Sequence, residues 1–524
     1  MTSARRPLQE ALPDLATALL MLVFAACCAA FVRQASLASF ADDSVVYLVM
    51  AQVFSPWQAV SAPVAEAFAR EAIYPPLFPL LLALTGAARD IAWAHVVTAL
   101  LLAACLPLVY VLALRWLAGR WIAVLATLAV ALLPSLWINA KGILSEPLFC
   151  LLLLATLCVL EGEPAARGRT ALLALLMAGL VLTRTVGMIP VVAYAAWAVT
   201  RGASPQGRWR PLVPAAVALA AYVLWAELRP SVTSEGYLQI VAGRAHRYLD
   251  AENPVVALAG LLWQQADAMA QAWIGSLMVY WVEGSPLRAV LACAIGLLGL
   301  GGLAWRFLQG RPDAWMLAAY VLTYLLWPFD DQMERFLFPA LPVLVLYAFA
   351  ALGALRRRAR AGQALLALLM LSLSGPAMAF LYERAHTQGP YGEITDWYRK
   401  PDLAEARARA ATHLDLLADM DAIRRLTRPE NRVMWVAPAY IALLADRRGV
   451  PAPRAGLDPA AYRDAVRASG ADYAFLSVYH PRDTIHDTAW QEGARALAGH
   501  AKVVHVHVRG DNTAVSSILF RLER

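Results

Sequence analysis

Apolar residues arrive in long blocks separated by short polar stretches over roughly the first three quarters of the chain. A bilayer helix needs ~20 consecutive apolar residues, and Leu12 to Val32 is the first block of that kind. Pro7 to Val32 is too long, and too weakly marked for cleavage, to read as a signal peptide, so it is taken as a retained first span. Arginines punctuate every second loop. They are Arg5 and Arg6 before span one, Arg115 and Arg120 between spans two and three, and Arg167 and Arg169 after span four. Arg201, Arg208 and Arg210 follow span six, Arg306 and Arg311 follow span eight, and Arg356, Arg357, Arg358 and Arg360 follow span ten. Basic short loops face the cytoplasm, so the pattern predicts about eleven spans, a cytoplasmic N-terminus and an outer C-terminus.

Two outer segments are long. The first, residues 33–90, contains EAIYPPLFPLLLALTG, too short to span comfortably. It is expected to form a juxtamembrane or re-entrant helix with Pro75 and Pro76 in its first turn, where proline is tolerated. The second, residues 229–286, carries Trp263, Trp273, Tyr280 and Trp281. Such aromatics favour the membrane interface, which predicts one or two helices along the outer surface. Prolines at 134, 147, 190, 339 and 342 punctuate other spans. Kinked membrane helices line cavities or pack on neighbours.

From about Tyr382 charges become frequent and no segment could span. LAEARARAATHLDLLADMDAIRRL reads as an amphipathic helix. RVMWVAP, ADYAFLSV, VVHVHV and SSILFRL read as strands, with helical patterns between the first three. The expected fold is therefore mostly α, a polytopic helical membrane protein with a small extracytoplasmic α/β domain. The boundary divides residues 1–382 from residues 383–524.

Composition agrees. The 524 residues are 60% hydrophobic and 16% charged, with mean hydropathy +0.54. An ordinary soluble globule is about a quarter charged. The net charge of +7 comes from arginines at cytoplasmic helix ends and not from a basic stripe on one folded face, so no nucleic-acid partner is implied. All six cysteines lie in apolar segments, which argues for packing roles and against a disulfide framework. There is no Walker loop and no dinucleotide fingerprint. GLLGLGG near residue 300 sits inside a span and reads as close helix packing.

The candidate chemistry gathers on the outer side. Asp42 and Asp43 stand just beyond span one, where carboxylates are costly and call for a function. The bland alternative is a cap on the helix starting near Val45. Glu146 opens span four beside Lys141, either as a site carboxylate or as a first-turn glutamate complementing the helix dipole. Arg335 opens span ten. It suits a phosphate bidentately, against a snorkelling side chain or an ion pair with Asp330, Asp331 or Glu334. Arg184 lies deep in an apolar run, or at an outer turn between spans five and six, and needs a partner, either phosphate or protein. Arg244, His246 and Arg247 read as a solvated basic cluster. His505 and His507 share one strand face, read as exposed rather than as a metal site.

These stretches resemble the membrane glycosyltransferases of the GT-C fold. Asp42–Asp43 followed by Tyr47 and Ala51 resembles their first-loop signature. Tyr74-Pro75-Pro76-Leu77-Phe78-Pro79-Leu80-Leu81 is similar to their Pro-Pro-x-x-Pro-Leu-Leu segment. Ser145-Glu146-Pro147-Leu148-Phe149 is similar to the opening of their fourth span, and Leu182-Thr183-Arg184 with Gly187 to a recurring mid-chain arginine. Glu334-Arg335-Phe336-Leu337-Phe338-Pro339-Ala340-Leu341-Pro342 is close to Arg-Tyr-Leu-x-Pro-x-x-Pro. The resemblance covers about residues 12 to 382. It implies transfer of a sugar from a polyprenyl-phosphate donor to a lipid, glycan or protein acceptor, at the outer face of the inner (plasma) membrane. It also implies the bacterial branch of aminoarabinose, mannosyl and arabinosyl transferases.

The resemblance implies roles as well. Asp42 or Asp43 would be the base, with the lean to Asp43. Arg335, Lys141 and Arg184 would hold the donor phosphate. Glu146 would be a second carboxylate, and Tyr47, Tyr74, Pro75 and Pro76 would form the wall. Some relatives carry a Glu-Lys pair before the two prolines; here those positions are Ile73 and Tyr74, and Glu71 is out of register. A divalent metal is thus allowed but not required. The competing class, a transporter or lipid-linked sugar flippase, predicts inverted repeats and polar residues at mid-membrane. Neither is visible in the sequence. A scaffold acting through the outer domain alone would leave the aspartate pair unexplained.

Overall fold

The computed structural model describes residues 8–33, 43–163, 168–201, 210–230, 243, 246, 253–279, 285–327, 329, 332–353, 359–386, 394, 397–398, 402–454, 456–479, 489–509 and 514–523. A helix stands on each of the eleven segments read as spans. Six are long and apolar enough to cross a bilayer: Ala11–Val32, Ile91–Trp116, Arg210–Leu228, Pro286–Leu308, Met333–Gly353 and Ala359–His386. A seventh is the pair Arg120–Ala131 and Pro134–Ala140, bent by 50°, with Pro134 opening its second half. Glu146–Leu160, Arg169–Thr183, Met188–Arg201 and Pro312–Leu325 are shorter, at 14 to 15 residues. The chain is a multi-pass helical membrane protein with a small sheet domain at its C-terminal end. Apolar side chains left outside the protein core, such as Leu175, Val199, Leu297 and Leu365, mark faces suited to lipid.

Close helix contact follows from the glycines of span eight. A Cβ on Gly302 would lie 2.2 Å from the Tyr347 carbonyl oxygen, and one on Gly299 would lie 2.8 Å from that of Leu344. The GLLGLGG stretch therefore brings Pro286–Leu308 backbone to backbone against Leu341–Gly353, as small-residue packing predicts.

The first outer loop folds into the helices Asp43–Phe54, Ala62–Glu71 and Leu77–Leu84. The last has 8 residues, about 12 Å at 1.5 Å per residue, too short to cross. Pro75 and Pro76 precede this helix instead of entering its first turn; Pro76 is its N-cap, and the interior proline is Pro79. In the second outer loop the helix Pro254–Met278 is only partly superficial. Trp263 is exposed, but Ala272–Met278 is buried in the main core. Trp273 donates its indole N–H to the Ala292 carbonyl at 2.8 Å, so it packs inward and is not an interface aromatic. Tyr280 and Trp281 lie outside the described residues.

The helix Leu403–Leu426 precedes the strands of the C-terminal sheet domain. These are β1 (Arg432–Trp435), β2 (Arg448–Pro451), β3 (Tyr473–Ser477), β4 (Ala501–Val508) and β5 (Val515–Leu522). They form one sheet in the order β2-β1-β3-β5-β4. β1 runs parallel to β2 and β3, while β5 is antiparallel to β3 and β4. Four of the five strands are the expected ones; β2, RGVP, was missed because four residues with a proline and a glycine carry little strand signal. His505 and His507 do share a face, but not an exposed one. They face Leu403–Leu426, where His507 Nδ1 lies 2.8 Å from Asp419 Oδ1.

This domain sits on the first outer loop. Arg70 donates to the Gly449 carbonyl at 2.6 Å, and Glu66 pairs with Arg448 at 3.6 Å. Val45, Tyr47 and Leu48 share one apolar cluster with Trp435, Tyr440, Ile441 and Phe475. The helix that opens with Asp43 is thus packed from the C-terminal side.

Candidate active site

Four helix ends meet here, and each brings one charge. Asp43 is the first residue of Asp43–Phe54, and Glu146 the first of Glu146–Leu160. Both carboxylates complement the positive ends of their helices. Arg335 lies in the short helix Met333–Leu337, which leads through Phe338–Ala340 into Leu341–Gly353. Arg184 caps Arg169–Thr183 with extended backbone. The following turn needs Gly187, because a Cβ there would meet the Leu180 carbonyl oxygen at 2.5 Å. That tight reversal holds Arg184 at the helix end.

The charges form one network. Arg335 Nη2 pairs with Asp43 Oδ2, and its Nε pairs with Glu146 Oε1. Arg184 Nη1 pairs with the same Glu146 oxygen and donates to Ser145 Oγ at 3.3 Å. The Ser145 hydroxyl bonds that of Tyr47 at 2.9 Å. Tyr74 donates to Asp43 Oδ1 at 2.6 Å. Burial, and then the Asp43 charge, push the Tyr74 phenol well above its usual range, which keeps it protonated as a donor. Glu146 and Arg335 are buried, whereas the side chains of Asp43 and Arg184 are each 14% exposed, so solvent reaches the network there. Glu146 Oε2 is buried and has no hydrogen-bond partner among the described residues.

Aromatic rings form the surroundings. Tyr47 lies 5.1 Å from both Tyr74 and Phe78, centroid to centroid. Tyr324 stacks on Phe336 at 5.0 Å, and Tyr320 donates to the Phe336 carbonyl at 2.9 Å, fixing the turn that carries Arg335. Tyr320 and Tyr324 lie outside the sequence motifs, and Ser145 enters them only as the first residue of the Ser145–Phe149 segment. The i, i+4 spacing of the two tyrosines on span nine was the available signal.

Of the residues singled out in the sequence, Asp43, Glu146, Arg184, Arg335, Tyr47 and Tyr74 come together. Pro75 and Pro76 form the turn directly after Tyr74. Lys141 is buried with its Nζ 4.6 Å from the ring centroids of both Phe31 and Tyr398, a cation–π arrangement. Glu334 accepts from Ser135 Oγ at 3.4 Å. Asp42, Asp330, Asp331, Arg244 and Arg247 lie outside the described residues, and His246 is exposed. At the departure from the family pattern, the Ile73 carbonyl accepts from Arg229 at 3.3 Å. No group of three or more His, Cys, Asp or Glu among the described residues could hold a metal ion. The space between Asp43 and Glu146 is held by the Arg335 guanidinium.

No family model matches the chain, and no curated protein matches its sequence. Solved structures share its architecture. ArnT from Cupriavidus metallidurans in the apo state aligns with TM-score 0.54 at 13% identity, over 96% of this chain and 97% of that one. The same protein bound to undecaprenyl phosphate aligns with TM-score 0.53 at 14% identity over the same shares. The oligosaccharyltransferase AglB from Archaeoglobus fulgidus, in complex with an inhibitory peptide and a dolichol-phosphate, aligns with TM-score 0.50 at 14% identity, over 95% of this chain and 74% of that one. At these identities the likeness is one of fold. The protein has the polytopic GT-C fold that the sequence resemblance implied.

Proposed function

We propose that this protein is a glycosyltransferase that moves a sugar from a polyprenyl-phosphate donor to a hydroxyl acceptor on the outer face of the inner (plasma) membrane. The observation that carries the reading is the convergence of Arg184 and Arg335 on one oxygen of Glu146, beside Asp43. Two guanidinium groups drawn to one point favour an anion, and a phosphate is the anion that guanidinium geometry matches best. Asp43 supplies the base. It takes the acceptor hydroxyl proton as that oxygen attacks the sugar carbon from the face opposite the phosphate. The bond from the sugar carbon to the phosphate oxygen breaks, and the arginines balance the charge that collects on the leaving group. Tyr74 holds Asp43, while Tyr47, Pro75 and Pro76 shape the wall.

The N-terminus is cytoplasmic and the C-terminal domain outer in this reading, which puts the network on the side where a lipid-linked donor is available. The C-terminal domain holds the first outer loop and flanks the acceptor entrance. The solved ArnT bound to undecaprenyl phosphate and AglB with dolichol-phosphate support a lipid-phosphate donor by analogy of fold. The ionic clusters lie at the two ends of span four and not at its middle, which favours transfer over the mid-membrane site of a transporter.

The test is mass spectrometry of envelope glycolipids and glycans from a deletion strain. One sugar modification should disappear, return with the native gene, and stay absent with Asp43→Asn. Full transfer by the Asp43→Asn variant would overturn the mechanism.

A further inference from the structure

We infer that Arg335 exchanges partners during the reaction, neutralising Asp43 in the resting protein and passing to the donor phosphate as the donor binds. The inference rests on the function proposed above and concerns the order of events within it. Arg335 uses two separate donors, Nε to Glu146 and Nη2 to Asp43. The two carboxylates differ in what remains when Nη2 lets go. Glu146 keeps the Nε contact and also holds Arg184. Asp43 keeps the neutral hydroxyl of Tyr74. Glu146 is therefore the fixed pivot of both arginines, and the contact to Asp43 is the exchangeable one.

The charges explain why the exchange helps. At rest, Asp43, Glu146, Arg184 and Arg335 sum to zero. The polyprenyl phosphodiester donor adds one negative charge. In the chemical step the acceptor O–H bond breaks and its proton goes to Asp43. The acceptor oxygen bonds the sugar carbon, and the polyprenyl phosphate leaves with the electron pair as a monoester dianion. One negative charge has vanished from Asp43 and one has appeared on the phosphate, so the total is unchanged. A guanidinium able to reach both follows that charge without moving its pivot. At rest both Asp43 oxygens carry a donor, Arg335 Nη2 on Oδ2 and the Tyr74 hydroxyl on Oδ1. Oδ2 opens to the acceptor hydroxyl only once the phosphate has drawn Nη2 away. The acceptor is thereby activated only when a donor is in place, which protects the bound donor from premature reaction.

The consequence is a competition: Asp43 and the lipid phosphate contend for one arginine. The test is undecaprenyl phosphate binding to the full chain in nanodiscs, measured by native mass spectrometry for wild type, D43N, R335Q and the double variant. D43N is expected to bind at least ~10-fold more tightly than wild type, the size of a coupling between groups in direct contact. That gain should vanish in the R335Q background. Unchanged or weaker binding by D43N, or a gain that persists without Arg335, would overturn the exchange. Tyr74→Phe gives a second reading with opposite sign. Asp43 loses its other donor and holds Arg335 more firmly, so binding should weaken by roughly two- to fivefold; tighter or unchanged binding counts against the exchange. Transfer assays on the same preparations separate the two levels. A wild-type protein that transfers no sugar refutes the function, a D43N protein that still transfers refutes Asp43 as the base, and a D43N protein that is inactive without tighter binding refutes only the exchange.

Discussion

Span four carries a buried ionic cluster at each end, about 22 Å apart along its 15 residues. The one at its N-terminal end, outside in the proposed topology, joins Asp43, Glu146, Arg184 and Arg335. The one at its C-terminal end, inside in that topology, joins Glu161, Arg306 and Asp313. Arg306 donates to Asp313 Oδ2 at 2.7 Å and to Glu161 Oε1 at 2.5 Å. Tyr347 donates to the same Asp313 oxygen at 2.7 Å, and Trp116 lies 4.2 Å beneath the guanidinium, itself stacked on Tyr347 at 5.3 Å. Residue types and burial are alike in the two places, and the balance of charge is not. Inside, one cation lies between two carboxylates, with an indole on its face. That arrangement repels a phosphate and ties spans four, eight, nine and ten together. Outside, two cations balance two carboxylates, so an added anion meets no net negative charge and finds two guanidinium groups. Buried charge alone does not mark a site; the net charge of the cluster does.

The comparison is broken most directly by exchanging the effects. Asp43→Asn should lower sugar transfer by roughly 10²- to 10⁴-fold, the usual contribution of a general base, with the protein still folded. Asp313→Asn should leave turnover per folded molecule unchanged, and an equal loss from both would erase the distinction. Next in size, Asp313→Ala removes the fully buried carboxylate that Arg306 and Tyr347 share and should destabilise the protein by about 3–5 kcal/mol, read as a lower thermal midpoint in detergent. The counterpart Asp43→Ala should cost less, because Asp43 is partly exposed and Arg335 keeps Glu146. Arg335→Lys should reduce transfer by about 10- to 100-fold, because an ammonium cannot hold two acceptors in the fork geometry of a guanidinium. Native turnover in the R335K enzyme would show that one point charge suffices.

The smallest effect concerns a third cluster, outside the membrane. Asp419 is buried beneath His505 and His507, with Asp415 and Arg509 alongside. Burial raises its carboxyl above the usual range, partly offset by Ser517 and His507. The folded state thus binds the Asp419 proton more tightly than the unfolded one, and stability falls as pH rises through the raised value. Asp419→Asn should remove that fall and stabilise the protein at pH 8 by about 1 kcal/mol, with little change at pH 4. Thermal unfolding at the two pH values checks it. A D419N variant that is destabilised at pH 8 would mean that the ion pairs with the histidines outweigh burial.

Much of this was readable residue by residue. The spans follow from runs of Leu, Ala and Val, and Glu146 and Arg335 fall at helix starts that Pro147 and Pro339 announce. Other features were not readable. Trp273 looked like an interface aromatic, yet it turns inward because Gly296 opposite it leaves room; a Cβ there would meet its ring nitrogen at 2.8 Å. His505 and His507 looked solvated, because their strand alternation says which residues share a face and nothing about what covers it. Lys141 looked like a phosphate ligand beside Glu146, and the rings that receive it, Phe31 and Tyr398, come from opposite ends of the chain.

By itself the sequence determined the spans, the loop charges, the small sheet domain and the kinds of charged residue available at the span ends. These are local matters: a helix in a membrane satisfies its backbone within its own segment, and strand and helix periods are written in neighbouring residues. Only the tertiary structure decided which charges share a site. Asp43 and Arg335 stand 292 residues apart, and no periodicity links them. Their pairing is decided by where four separate helices end.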